Sequence, residues 1–383
     1  MAEQRSPMWE QIYSLPEMVG QCLPSFLDAA RGVLTPVLCA SLERACVVGC
    51  GDSHMAAVGA ELAFHTLAGL PTRSTPALHF ARYTVPFLAD PGSTLVIGVS
   101  VSGEVARTVE AVRLARKAGA VTAAVTGPLR SRLALSAEHV LQTTVPPIAS
   151  AVHTPGVRSY IASLLMLCST TVRIGEARGF LSAADASAAR DELRQMPEAI
   201  AATLRANDGA IERLLLAWQD AQQFVFLGGG PNYGTALFSA AKLLEASGDA
   251  ALGQDTEEWA HLQYFAREAA TPTFVIDAQG RSYSRSAEVA AAARAVGRRV
   301  AAVVPPGETI ISAQADAVLP VHGGAREAFS PPLYSLAGML IANYRATALH
   351  ESYFRDFGGG RSVREGGGAS RVQSSALQEE LVP

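Results

Sequence analysis

Lysine is almost missing from this sequence. Among its 31 basic residues only Lys117 and Lys242 are lysines, so any lysine chemistry must fall on one of those positions. Charge of either sign is scarce. Charged residues make up 17% of the 383 residues, against roughly 25% in an ordinary globular domain. The net charge is −4, and the missing basic surplus speaks against nucleic-acid and anionic-membrane partners. Five cysteines (Cys22, Cys39, Cys46, Cys50, Cys168) form no C-x-x-C pair and are odd in number. That excludes a disulfide framework or a zinc site and predicts buried thiols in a reducing compartment. No apolar run reaches the ~18 residues of a membrane span. The first residues carry no apolar core of signal-peptide length. No G-x-G-x-x-G with a partner acid appears, which disfavours NAD. The expectation is a soluble cytoplasmic protein that acts on a small molecule and needs no cofactor or metal.

Apolar residues are plentiful, at 49%, which excludes disorder for most of the chain. At roughly 150 residues per domain the length predicts two or three domains. An internal repeat decides how they are arranged. Short β-branched runs begin at Cys46, Leu95, Val121 and Val140, and again at Phe224, Thr273, Arg299 and Val318. One offset of 178 residues superposes all four pairs. It lays Ala115–Pro128 on Ala293–Pro306 with Ala115, Arg116, Gly119, Ala123, Ala124, Val125 and Pro128 identical, and it puts Gly51 on Gly229. Segments between the runs carry helical spacing, as in Val105, Val109, Val112 and Leu114. Fully apolar strands joined by helices predict parallel sheets covered on both faces. The fold class is therefore α/β, with two doubly wound, flavodoxin-like domains related by the repeat. The expected division is a helical segment over 1–29, a first domain over 30–182, a helical linker over 183–216, a second domain over 217–350, and a tail or lid over 351–383.

In such folds ligands sit at the carboxyl ends of the strands, near helix N-termini. Chemistry is expected where the two copies disagree. After its second run, copy one reads Ser100-Val-Ser-Gly-Glu-Val-Ala-Arg-Thr108, and copy two reads Ala278-Gln-Gly-Arg-Ser-Tyr-Ser-Arg-Ser286. Two serines and a glycine before a helix make an anion site, with phosphate as the natural guest. An ordinary capped turn is the competing reading. After the first run come Gly49-Cys-Gly-Asp-Ser-His54 and Gly228-Gly-Gly-Pro-Asn-Tyr233, both tight turns into helices. Copy two holds the denser ionisable set: Lys242, Glu245 and Asp255-Thr-Glu-Glu-Trp-Ala-His261. A glutamate and a histidine near a phosphate suit proton transfer at a sugar carbon. Against that stand a surface i,i+3 pair for Lys242 and Glu245, solvated Glu257 and Glu258, and a satisfied interior His261.

Over roughly residues 30–350 the chain resembles the tandem SIS (sugar isomerase) domain family. That family includes the isomerase half of glucosamine-6-phosphate synthase, SIS-type glucosamine-6-phosphate deaminases and fructosamine-phosphate deglycases. The resemblance rests on Gly49–Ser53, Ser100–Glu104, Phe226-Leu-Gly-Gly-Gly, Ala241-Lys-Leu-Leu-Glu245 and the sixteen-residue step to His261. It implies that Ser53, Ser100 and Ser102, with the amides around Val101 and Gly103, hold a sugar phosphate. Gly51, Asp52 and Thr108 complete that binding set. It implies Glu245 as the base moving a proton between C1 and C2, with Lys242 one turn before it. His261 resembles the ring-opening histidine that arrives from a neighbouring subunit, which implies a homodimer with shared active sites. Glu258 matches the glutamate that orients or charges that histidine.

The departures matter too. Val101 and Val105 stand where the family often carries a polar residue and a threonine, so two donors are missing. Arg107 is the candidate replacement for the lost charge. The sequence holds no glutaminase domain and is expected not to draw ammonia from glutamine by itself. In the tail, Arg371 stands nearest to the family's lysine, and an arginine does not serve as an amine nucleophile. The expected activity is aldose–ketose isomerisation of a sugar phosphate, an amino sugar with or without loss of ammonia at C2. Deglycation of a fructosamine phosphate and non-catalytic sugar-phosphate sensing are the alternatives. A sensor needs only the serine loop, so the joint presence of Glu245, Lys242 and His261 favours an enzyme.

Overall fold

The computed structural model describes residues 5–148 and 153–357. Ten strands build two parallel sheets of five. The first contains β1 (Arg44–Gly49), β2 (Thr72–Pro76), β3 (Thr94–Val99), β4 (Val121–Thr126) and β5 (His139–Gln142), in the order β2-β1-β3-β4-β5. The second contains β6 (Gln223–Gly228), β7 (Ala250–Asp255), β8 (Pro272–Ile276), β9 (Arg299–Val304) and β10 (Ala317–Pro320), in the matching order β7-β6-β8-β9-β10. The expected doubly wound α/β architecture is the one observed. Its central strands explain themselves. Every residue of β3 and β8 is buried, as a parallel strand with helices on both faces requires.

Sequence periodicity found four strands per copy, and the structure has five. The missed ones are β2 (TRSTP) and β7 (AALGQD), each lying at one margin of its sheet. Edge strands meet the core on fewer sides, so they need no apolar run and give none to read. They obey the repeat nonetheless, since Thr72 and Ala250 are also 178 residues apart. One pairing is corrected. The residue that structurally matches Gly51 is Gly230, not Gly229. Gly51 (φ 54°, ψ −131°) and Gly230 (φ 54°, ψ −126°) both occupy the N-cap of the helix after the first strand of their sheet.

The described residues divide into two compact units. One holds β1–β5 and comprises residues 18–146 and 159–194. The other holds β6–β10 and comprises residues up to 17, 147–158 and 195–356. This differs from the expected boundaries. The 1–29 segment is split, because the helix Leu15–Val33 falls almost wholly in the β1–β5 unit. The 183–216 segment is not one linker either: the helix Ala183–Arg194 belongs with β1–β5 and the helix Met196–Ala217 with β6–β10.

In the first unit the face of β1 and β3 carrying Cys46, Val48 and Val96 packs on Phe80, Ala111, Leu114 and Ala115. In the second, Val225, Leu227 and Val275 pack on Trp259, Val289, Ala290 and Ala293. All five cysteines are free thiols. Burial pushes Cys46 up to about 11 and Cys168 up to about 12, so neither is a thiolate nucleophile at neutral pH. Among the described residues no helix is long and apolar enough to cross a membrane.

Candidate active site

In the sheet order β2-β1-β3-β4-β5 the strand order reverses between β1 and β3, and ligands collect beyond their carboxyl ends. The glycine turn and the serine loop both emerge there. Gly49 ends β1 so close to the next turn that a Cβ on it would lie 2.8 Å from the Ser53 backbone. Gly51 then takes φ 54° and opens the helix Asp52–Ala63 without any side-chain cap. Ser53 lies half-buried in that first turn. The first-turn N–H groups of a helix lack partners inside it.

The serine loop is tightly held. Ser100 N–H donates to Val125 O (3.0 Å), Gly103 N–H to Ser100 O (3.0 Å) and Gly127 N–H to Val101 O (3.1 Å). Gly103 has φ 66°, and a Cβ there would lie 2.0 Å from Ser131 Oγ, so only glycine fits. Glu104 anchors the far side by accepting from Arg132 Nε (2.8 Å) and Arg132 N–H (3.0 Å). Ser102 Oγ accepts from Glu104 N–H (3.2 Å), which leaves its own proton to give. Ser100 Oγ is buried and has no hydrogen-bond partner among the described residues. Val101, 40% exposed, caps the loop with an apolar surface. The helix Ala106–Lys117 begins at Val105, again without a side-chain cap.

Two expected contributors are turned elsewhere. Thr108 is buried and donates to Cys50 Sγ (3.8 Å), so its hydroxyl ties the two loops together. Arg107 pairs with Glu110 one turn on, and Arg82 reaches the same buried carboxylate (3.1 Å). An i,i+3 pair on its own helix has taken the charge that was expected to serve an anion. Three further groups bear on this end of the sheet. His54 follows Ser53; burial lowers its pKa, Glu61 opposes the shift, and its buried Nδ1 lacks a partner among the described residues. Asp52, half-buried in the same turn, acts on the buried Tyr160 phenol, whose pKa is raised well above normal chiefly by burial. His54 was legible as the next residue of the glycine turn. Tyr160 gave no signal, since it lies more than a hundred residues downstream.

The equivalent end of the second sheet is acidic. Asp277, after β8, is buried and accepts from Ser286 Oγ (2.6 Å), Gln279 N–H (2.7 Å) and Ser282 Oγ (3.3 Å), and burial raises its pKa. Glu327 accepts from Arg281 N–H (3.0 Å) and lies against Gly280. Carboxylates thus occupy the region that in the first unit offers serine hydroxyls, and they disfavour an anion there.

The helix Pro231–Ser247 carries the ion pair. Lys242 has a side-chain exposure of 0%, lies 5.2 Å above the Phe238 ring, and donates through Nζ to Glu245, whose side chain is 33% exposed. A surface pair is therefore not what the sequence encodes. The helix Pro331–Leu349 crosses this one so closely that a Cβ on Gly338 would lie 2.2 Å from Ser239 Oγ. His261 ends the short helix Thr256–His261 with its side chain 65% exposed, so it is no interior histidine. Its partner is Glu257 rather than the expected Glu258: Glu257 Oε1 lies 3.0 Å from His261 Nε2, at i,i+4. Arg285 also grips Glu257 (2.6 and 3.1 Å) and is the main cause of its lowered pKa, with His261 second. Glu258 is exposed.

Arg371 lies outside the described residues, as does the tail beyond 357. Among the described residues no group of three or more His, Cys, Asp or Glu side chains converges to hold a metal ion.

Residues 39–173 match the model of the SIS domain family. A glutamine–fructose-6-phosphate aminotransferase (isomerizing) from Methanothermobacter thermautotrophicus is 28% identical over 335 residues, which are 88% of this chain and 53% of that protein. The chain spans about half the length of the curated relatives it matches. In fold it is similar to the C-terminal domain of glucosamine-fructose-6-phosphate aminotransferase from Francisella tularensis (TM-score 0.79, 19% identity, 92% of this chain and 98% of that one). It is also similar to glucosamine-6-phosphate deaminase from Thermotoga maritima (TM-score 0.71, 20% identity, 92% and 97%).

Proposed function

Starting from a chain that carries a SIS domain, we propose that it interconverts the aldose and ketose forms of a sugar phosphate, an amino sugar with or without release of ammonia at C2. The observation that carries this reading is the Lys242–Glu245 pair, with its lysine fully buried. Burying an ammonium is costly, and a surface helix has no use for it. Buried charge pairs concentrate where proton chemistry is done, although structural networks hold them too.

In this reading the Glu245 carboxylate takes the proton from C2 of the aldose, and an enediol or enolamine forms. The same group returns the proton to C1; with an amino sugar this leaves an imine at C2, which water hydrolyses to the ketose and ammonia. The Lys242 ammonium neutralises the carboxylate while it is empty. Ser53, Ser100 and Ser102 donate to the phosphate, helped by the positive ends of the two helix dipoles. His261, steadied by Glu257, opens the sugar ring in a neighbouring subunit, so the working unit is a homodimer. Sensing without catalysis is the weaker reading, because it gives the buried Lys242 and its Glu245 partner no chemical role.

Glu245→Gln tests the proposal. The amide keeps the shape and cannot accept a proton. With glucosamine-6-phosphate as substrate, and ammonia and fructose-6-phosphate measured together, turnover should fall about 10²- to 10⁴-fold. Ligand affinity by calorimetric titration should change little. Full activity in the variant would remove Glu245 from the mechanism.

A further inference from the structure

The β1–β5 unit contains a second cleft that the proposed chemistry does not use. It is lined by Arg31, Arg173, Arg190 and Arg194, with Asp28, Glu176 and Ser169 between them, and has a volume of about 130 Å³. It sits where three helices end: Leu15–Val33, Arg158–Ala177 and Ala183–Arg194. Helix C-termini carry partial negative charge, and arginines there are partly accounted for by that alone. The pairing leaves a surplus. Glu176 serves both Arg190 (3.1 Å) and Arg173 (3.7 Å), and Asp191 serves Arg194 (2.7 Å). Arg173 also donates through Nε to Leu34 O (2.9 Å). Arg31 makes no ion pair with a described residue. Four guanidiniums therefore face three carboxylates that pair with them or share the lining.

The cleft lies at the opposite end of the sheet from the serine loop. Leu34, its backbone neighbour, precedes the start of β1 at Arg44, whereas the serine loop lies beyond the strands' carboxyl ends. Tyr160, near the start of the helix Arg158–Ala177, feels Asp52 of the glycine turn. Arg173 stands thirteen residues further along, about 20 Å away at 1.5 Å per residue. The cluster also escapes the repeat: the 178-residue offset puts Gly209 at Arg31 and Glu351 at Arg173. A duplicated structural feature would be expected in both copies.

We propose that this cleft is a second binding site, separate from the sugar site, for a small molecule bearing a phosphate group. Planar guanidiniums match phosphate oxygens two at a time, and a cleft of about 130 Å³ takes the phosphate group itself, with the rest of the molecule at the open mouth. Inorganic phosphate is the probe. Thermal stabilisation is followed against phosphate concentration at constant ionic strength, which yields a dissociation constant by linkage. Three forms of the full chain are compared: one with Ser100→Ala and Ser102→Ala, which disables the serine loop; one with Arg31→Ala and Arg194→Ala; and one with all four changes. Both arginines are exposed, so their loss should leave the melting temperature without phosphate unchanged. The serine variant should still be stabilised by phosphate, and adding the arginine changes should weaken that residual binding at least tenfold. Residual binding that ignores the arginine changes, or a serine variant with no phosphate response, overturns the proposal. Neither readout depends on turnover, so failure of the isomerase reading would be seen separately.

Discussion

Ser100 carries a hydroxyl that the folded protein leaves unused. Its Oγ is buried beyond the end of β3 and has no partner among the described residues. Such a group costs stability unless something else satisfies it. Ser100→Ala should therefore leave the melting temperature unchanged or slightly higher. A phosphorylated substrate, in contrast, loses a charge-assisted hydrogen bond of about 1.5–3 kcal/mol, which is roughly a 10- to 150-fold rise in KM. A fall in stability with no change in KM would mean that the hydroxyl is structural. The place of this loop was legible in the sequence because glycine and serine before an apolar-periodic segment mark a turn into a helix. The partner of His261 was not. Glu257 and Glu258 stand four and three residues before it, both within reach on a helix, and Arg285 then fixes the choice from another element. Arg107 is a similar case. Its residue type fits an anion, but Glu110 one turn along the same helix pairs with it.

At the scale of elements, the sequence announced what is apolar and repeated and hid what is polar. β1, β3, β6 and β8 were visible as buried runs; β2 and β7 became visible only once pairing was known. Helix crossings were equally silent, although they position the proposed base. Gly338 lets the helix Pro331–Leu349 press on the helix that carries Lys242 and Glu245, and an added Cβ would fall within 3 Å of Ser239 Oγ, Cβ and Cα. The backbone atom in that set cannot swing aside as a side-chain tip does. Gly338→Ala should therefore destabilise by about 1–3 kcal/mol, as overpacking does. It should also lower kcat, because the helices must separate and carry Glu245 with them. Denaturant unfolding and steady-state kinetics of the one variant check both. A stable variant with reduced kcat would place the effect in positioning alone, while an unperturbed variant would show that the crossing has slack.

At the scale of the whole molecule, the duplication left matching exposed surfaces on the two units. Phe87 is 83% exposed and Phe265 74%, and the 178-residue offset relates them. The same offset relates exposed Tyr83 to exposed His261. Leu262 and Tyr264 extend the apolar surface beside His261. Exposed apolar side chains gathered along one segment mark a place where something docks, and under the proposed function a second copy is the occupant. If His261 completes a partner's site, Glu245→Gln and His261→Ala damage different halves of one composite site. Each variant alone should be inactive. In an equal mixture refolded together, half the dimers pair one variant with the other. Each such dimer has one site with both residues intact and one with neither, so about a quarter of the wild-type activity should return. Activity that stays at zero, with mixed dimers demonstrated by differential tagging, would mean that His261 and Glu245 serve within a single chain.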